Sequence, residues 1–241
     1  SQEYARKEFN LHGEDWLLSH LMVHQANLKV ILDVGSNIGE WTKMAREFHP
    51  KSEIHTFEIV YNTYKKLLSN VFATETDNKI IPNGFGLSDS CGTLRMKWRK
   101  DHDVVSTYLD KLAVENFEWR DCIVFTGDQY LSSRGIDYVD FLKIDVEGAE
   151  WAVLKGMTSC MGTIAFEWTY ETINEHQDQL QYLKGLGYTE VGPQYIEHHL
   201  QQPEDWYSLE EFDLKEWHFD TELSWTSNRW KISGLRPTAD V

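Results

Sequence analysis

Three features of the sequence predict an α/β fold, an open, mostly parallel sheet with helices on both faces. Short β-rich runs alternate with helical stretches along most of the chain. The first two runs end at acids, Asp33 and Glu58, each ahead of a helical stretch. A glycine-containing turn, Gly35 to Gly39, joins the first run to its helix. Parallel neighbours need right-handed crossovers, which places a ligand at the carboxyl ends of the strands.

In chain order, residues 16–25 carry Trp16, Leu17, Leu21 and Met22 at helical spacing behind Asp15 as a cap, and predict an N-terminal helix. Residues 30–34 predict the first strand and 38–48 its helix, stopped at His49-Pro50. The unit repeats with a strand at 52–57, a helix at 61–71 and a third strand at 79–82 that runs into the turn at 84–86. Between 89 and 120 the pattern loses regularity: 93–98 predicts an extra strand, and 100–110 is polar without a period, where insertions sit. Residues 122–125, 140–145 and 163–168 predict buried strands, with helices at 149–156 and 175–187 after the last two. No repeat of solenoid length occurs.

A length of 241 residues and a mass of 28.3 kDa suit one domain with a sizeable core. It divides into an N-terminal helical segment (1–29), a ligand-binding core (30–192) and an aromatic-rich C-terminal segment (193–241) read as a substrate lid. With 23 Lys and Arg against 39 Asp and Glu, the formal charge is -16, and that field repels phosphate backbones and anionic membranes. Nucleic acid is thereby excluded as the expected partner. Cys91, Cys122 and Cys160 are odd in number, far apart and without CxxC spacing, so neither a zinc ribbon nor a disulfide framework is expected. A reducing, cytoplasmic setting follows. No apolar run approaches the ~18 residues of a membrane helix. The chain begins at Ser1 rather than Met, as a processed chain or a part of a longer multidomain protein would.

The sharpest local feature is DVGSNIG at 33–39. Gly35 and Gly39 permit a tight turn and close ligand approach, and the helix that follows offers free N–H groups at its positive end. A nicotinamide-binding oxidoreductase would show G-x-G-x-x-G, which is absent here. The Asp33 carboxylate suits the cationic end of a ligand, an ammonium or sulfonium, better than a pyrophosphate. Glu58 follows Gly39 by 19 positions and is placed to accept both hydroxyls of a ribose. In Gly84-Phe-Gly-Leu-Ser-Asp89, Phe85 or Leu87 would pack on an adenine face and Ser88 or Asp89 bond its edge; a capped turn explains the same residues.

DVGSNIG with Thr42, Phe57-Glu58, GLSD at 86–89 and FLKIDVEGAEWAVLKG at 141–156 together resemble the FkbM-type S-adenosylmethionine-dependent methyltransferases over residues 30–192. The resemblance implies a class I methyltransferase (Rossmann-like) sandwich with a mostly parallel seven-stranded sheet. It implies S-adenosylmethionine as cofactor, with Asp33, Gly35, Ser36, Asn37 and Gly39 around the methionine part and Glu58 at the ribose. Ile59, Gly86, Ser88 and Asp89 complete the cofactor set, with Ser88 and Asp89 near the adenine. Ser36 stands where the family usually has Ala, and Ile59 where Pro commonly follows the acid.

The implied chemistry is O-methylation, in which an acceptor hydroxyl must be positioned and relieved of its proton by a base or a metal. Asp145, at the end of its strand, is the first candidate base. Glu147 and Glu167 are expected to converge on it, forming a site for Mg²⁺ or another hard divalent cation. For Glu147 and Glu150 the dipole of the following helix is the alternative explanation. His102, between Asp101 and Asp103, is a second candidate base or a solvated loop residue. Adjacent His198 and His199 point in different directions and are expected at the surface. Ten Trp, including Trp206, Trp217, Trp225 and Trp230 in the tail, suit sugar faces as well as a packed core. The expected acceptor is a hydroxyl of a sugar or glycan. A small natural product such as a polyketide is the alternative acceptor, and a noncatalytic cofactor- or glycan-binding module the alternative class.

Overall fold

The computed structural model describes residues 28–72, 78–99, 106–107, 117–159, 161–168, 174–191, 193–195, 207–212 and 230–237. The helix expected at 16–25, His102, His198, His199, Trp206, Trp217 and Trp225 lie outside the described residues.

The first half-sheet is built from β1 (Val30–Val34), α1 (Glu40–Phe48), β2 (Glu53–Phe57), α2 (Tyr61–Val71) and β3 (Ile80–Asn83), with β1–β2 and β2–β3 parallel. The chain then crosses to the other side of β1 and adds β8 (Phe141–Ile144), α4 (Glu150–Lys155), β9 (Thr163–Trp168), α5 (His176–Gly185) and β10 (Tyr188–Val191). Strand β13 (Trp230–Pro237) inserts antiparallel between β9 and β10. The order is therefore β3-β2-β1-β8-β9-β13-β10, with short β12 (Tyr207–Ser208) extending the far edge and β11 (Pro193–Tyr195) pairing with β13. This run is the mostly parallel seven-stranded sheet that the resemblance implies. Part of the segment expected as a lid is thus a strand of the main sheet.

Strand alternation sorts the core onto two faces. Leu32, Val34, Leu142, Ile144, Ile164 and Phe166 face one layer, where α3 (Gly127–Arg134), α4 and α5 contribute Leu131, Val153, Leu154, Leu180 and Leu183. Ile31, Phe141 and Ala165 face the other layer, against Ala45 and Phe48 of α1. Among the described residues no helix is long and apolar enough to cross a membrane.

A second sheet, β4 (Gly86–Leu87), β7 (Phe117–Phe125), β5 (Gly92–Arg99) and β6 (Ser106–Thr107), fills the irregular stretch. Residues 122–125 therefore lie in this sheet, parallel to β4 and antiparallel to β5, rather than in the central one. Helix α3 is not apparent from periodicity, although Thr126 caps it by accepting the Gln129 N–H at 3.2 Å and Gly135 ends it.

Candidate active site

The carboxyl ends of β1, β2 and β8 open into one cleft at the point where the strand order reverses, the expected ligand position for such a sheet. Its floor is the turn after β1. The Gly35 and Ser36 N–H groups both donate to the Phe57 carbonyl at 3.0 Å, and the Ser36 hydroxyl donates to the Asp33 carbonyl while accepting the Phe57 N–H. Gly35 adopts φ 81°, and a Cβ there would lie 1.8 Å from the Asp145 carbonyl oxygen. The turn and the end of β8 thus touch backbone to backbone. Gly39 leaves room for Val71 and Leu67 of α2.

Glu58 stands one residue beyond β2. Its Oε2 accepts the Asn37 N–H at 3.0 Å and its Oε1 the Val60 N–H at 2.8 Å. Burial pushes its carboxyl up to about 7, against the pull of those two N–H groups; nearby Asp33 adds to the rise and Lys143 opposes it. Asn37, at φ 49°, lines the cleft and buries an Oδ1 that finds no hydrogen-bond partner among the described residues. Ile59, Val60, Gly86 and Leu87 form an apolar wall, completed by Leu94 and Met96 from β5 of the second sheet. Asp145, Val146, Glu147 and Ala149 supply the opposite rim. Among the described lining residues the charged groups are carboxylates only.

The rim after β8 is held by Glu150, whose Oε1 accepts the Val146 N–H at 3.1 Å and the Gly148 N–H at 3.2 Å. Burial pushes the Glu150 carboxyl up to about 7 despite these bonds. Beneath the turn, Asp33 is fully buried. It accepts the Thr42 hydroxyl at 2.6 Å, and Lys143 Nζ lies 3.4 Å from its Oδ1 and 3.4 Å from Asp145 Oδ2. Burial raises the Asp33 carboxyl above the usual range, and Lys143 and Thr42 pull against it.

Residues 33–190 match the family model described as the methyltransferase FkbM domain. The chain belongs to the FkbM methyltransferase domain family. Among curated proteins it is similar to the hexuronic acid methyltransferase AglP of Haloferax volcanii, 28% identical over 157 residues, covering 65% of this chain and 62% of that protein. It is also similar to methyltransferase sdnD of Sordaria araneosa, 25% identical over 156 residues, covering 53% of this chain and 60% of that protein. The chain thus spans about three fifths of each relative's length, 62% and 60%. A solved structure, methyltransferase FkbM from Methylobacillus flagellatus KT, aligns at 14% identity with a TM-score of 0.49, over 96% of this chain and 50% of that one.

In this FkbM domain, Gly35, Asn37, Glu58, Ile59, Gly86, Asp145 and Glu147 line one cleft. Asp33, Ser36 and Gly39 lie behind it as parts of the turn's support. Ser88 and Asp89 line a neighbouring groove that meets the cleft at Leu94, and Asp89 is engaged by Lys155 at 2.8 Å. The convergence of Asp145, Glu147 and Glu167 is corrected. Glu167 stays within the β9 ladder, opposite Lys231 of β13, because β9 runs on to Trp168, and it does not line the cleft. Among the described residues no cluster of three or more His, Cys, Asp or Glu is arranged to hold a metal ion.

Two contributors escape a reading of the sequence alone. Lys143 is a lone cation inside a four-residue strand that is buried throughout, a signal readable in FLKI. Leu94 and Met96 belong to a strand that the sequence predicts, but nothing in the sequence places that strand over the cleft.

Proposed function

We propose that this FkbM domain is an S-adenosylmethionine-dependent O-methyltransferase acting on a hydroxyl of a sugar or glycan. The observation that carries the cofactor reading is the anchored Glu58 carboxylate. Each oxygen already accepts one backbone N–H, which fixes its remaining lone pairs toward the cleft, where two vicinal hydroxyls of a ribose would donate. The rest of the lining fits the same molecule. Carboxylates without a lining cation suit a ligand bearing a sulfonium and an ammonium. The buried Asn37 Oδ1 offers an acceptor, and Ile59, Gly86 and Leu87 offer an apolar wall for a purine.

When bound, S-adenosylmethionine supplies an activated methyl group. The chain's own residues then do the positioning. The Gly35 turn sits directly against the end of β8 because no side chain intervenes, which holds the floor of the cleft and its rim together. Asp145, one residue past β8 and on the rim, is the candidate to accept the proton of an acceptor hydroxyl. Leu94, Met96 and the β2–α2 connection shield that proton transfer from water. The sugar class of acceptor is supported by the similarity to the hexuronic acid methyltransferase of Haloferax volcanii.

The test has two arms. Calorimetry with S-adenosylhomocysteine is expected to show binding to the unaltered protein and a loss of about tenfold or more for Glu58→Ala, since hydrogen bonds to a charged acceptor contribute about 1.5–3 kcal/mol. Affinity of the unaltered protein is expected to fall below pH 7, where the Glu58 carboxyl takes up a proton. Transfer of labelled methyl from S-adenosylmethionine to uronic acid-containing and neutral oligosaccharides tests the acceptor. Absence of heat with the unaltered protein would end the cofactor reading, and label confined to small phenolic or polyketide alcohols would end the glycan reading.

A further inference from the structure

The sheet register builds a charged cluster that the cleft lining alone does not reveal. Asp33 of β1 and Lys143 of β8 are directly paired in the parallel ladder. Asp145 follows Lys143 by two positions, and side chains two apart project to the same face of a strand. The Lys143 ammonium consequently sits 3.4 Å from Asp33 Oδ1, 3.4 Å from Asp145 Oδ2 and 3.4 Å from the Gly35 carbonyl oxygen, to which it donates. The Trp41 ring covers it, with Nζ 5.7 Å from the ring centroid, and Trp41 is itself stacked on Phe141. Side-chain exposure falls along the cluster toward the interior, from 33% at Asp145 to 5% at Lys143 and 0% at Asp33.

A buried cation between a fully buried carboxylate and a rim carboxylate is fixed in place. Moving it would leave the Asp33 charge uncompensated in the interior, which is strongly unfavourable. We propose that Lys143 is a positioning residue: braced from below by Asp33 and Trp41, it ties the Asp145 carboxylate to the Gly35 turn and so sets where that carboxylate meets the cofactor and the acceptor. Thr42 extends the brace to α1 through its hydrogen bond to Asp33. The assignment rests on the cofactor reading above. It adds an electrostatic consequence, because the same ammonium holds down the Glu58 carboxyl while Asp33 pushes it up. Glu147 shares the rim with Asp145, and the Asp145 charge also bears on the buried Glu150 carboxyl.

The experiment is S-adenosylhomocysteine calorimetry from pH 6 to 9 on the unaltered protein, Lys143→Met and the double variant Asp33→Asn/Lys143→Met. For Lys143→Met, the midpoint of the affinity–pH curve is expected to move up, which weakens binding near neutral pH, because the Lys143 charge opposes protonation of Glu58. Above that midpoint a loss of about fivefold is expected to persist, because the Gly35 turn that floors the cleft is no longer tethered and binding geometry is the remaining difference. The double variant removes two opposed charges and leaves neither buried alone, so it folds even where Lys143→Met does not. Its midpoint is expected near that of the unaltered protein, with the same loss at pH 9. Wild-type affinity at pH 9 in the folded variants would overturn the proposal. No heat with the unaltered protein would instead remove the cofactor reading, and the assignment falls with it.

Discussion

Replacing Gly35 with Ala tests whether the backbone contact between the β1 turn and the end of β8 defines the cleft. Two costs add. An L-residue at φ 81° sits in the left-handed region, at a penalty of about 1–2 kcal/mol. The new Cβ would also lie 1.8 Å from the Asp145 carbonyl oxygen and 2.7 Å from its carbon. Neither side yields easily, since the Gly35 N–H is bonded to the Phe57 carbonyl and the Asp145 N–H to the Val34 carbonyl. Relief must displace the strand end, and overpacking of this kind costs about 1–3 kcal/mol. Together the two effects predict a loss of about 2–5 kcal/mol in urea unfolding. Gly135→Ala supplies the comparison, because Gly135 has φ 65° and an added methyl would meet nothing within 4 Å, so only the conformational cost applies there. S-adenosylhomocysteine affinity is expected to drop sharply for Gly35→Ala and to hold for Gly135→Ala. If the two variants unfold within about 0.5 kcal/mol of each other and Gly35→Ala binds like the unaltered protein, the close contact does not shape the site.

Two further perturbations address the supports of the cleft. Thr42→Val removes the 2.6 Å hydrogen bond to buried Asp33 and is expected to lower stability by about 1–3 kcal/mol in thermal melts; the loss should shrink in an Asp33→Asn background, where the acceptor is uncharged, and strict additivity would argue against the coupling. Glu150 has a folded carboxyl pushed up to about 7, above about 4.3 for the unfolded chain, so the folded state holds the proton more tightly. Its burial therefore costs stability fully above pH 7, and the cost is relieved as the pH falls through the window between the two values. Glu150→Gln keeps an Oε1 for the Val146 and Gly148 N–H groups and is expected to raise stability at pH 8 by about 1–3 kcal/mol, with the gain vanishing near pH 4.5; a pH-independent difference between the two proteins would contradict the burial of a charged Glu150.

The alternation of strands and helices, the turn at 33–39 and the acid at Glu58 are all legible along the chain, because each is set by residues within a few positions. Hydrophobic periodicity predicts α2 and β9 at their observed bounds and β1 likewise. The turn's conformation follows from its glycines, and the Glu58 position from the end of a short apolar strand. Helix α3 shows the limit of periodicity, since its signals lie in its ends, the Thr126 cap and Gly135, rather than in an apolar stripe.

What the tertiary structure decided is which of these acids share a space. The register of β1 against β8 sets Asp33 opposite Lys143 and buries the two charges together beneath the cleft. The length of β9, fixed by its antiparallel pairing with β13 from far along the chain, keeps Glu167 within the sheet and away from Asp145 and Glu147. The folding of β5 over the carboxyl ends supplies Leu94 and Met96 to the cleft wall, although neither residue carries a local sign of that role. Local sequence fixes φ, ψ and the face a side chain takes. Long-range pairing alone fixes which faces meet, and for buried charges that meeting separates a ligand-binding group from a structural one.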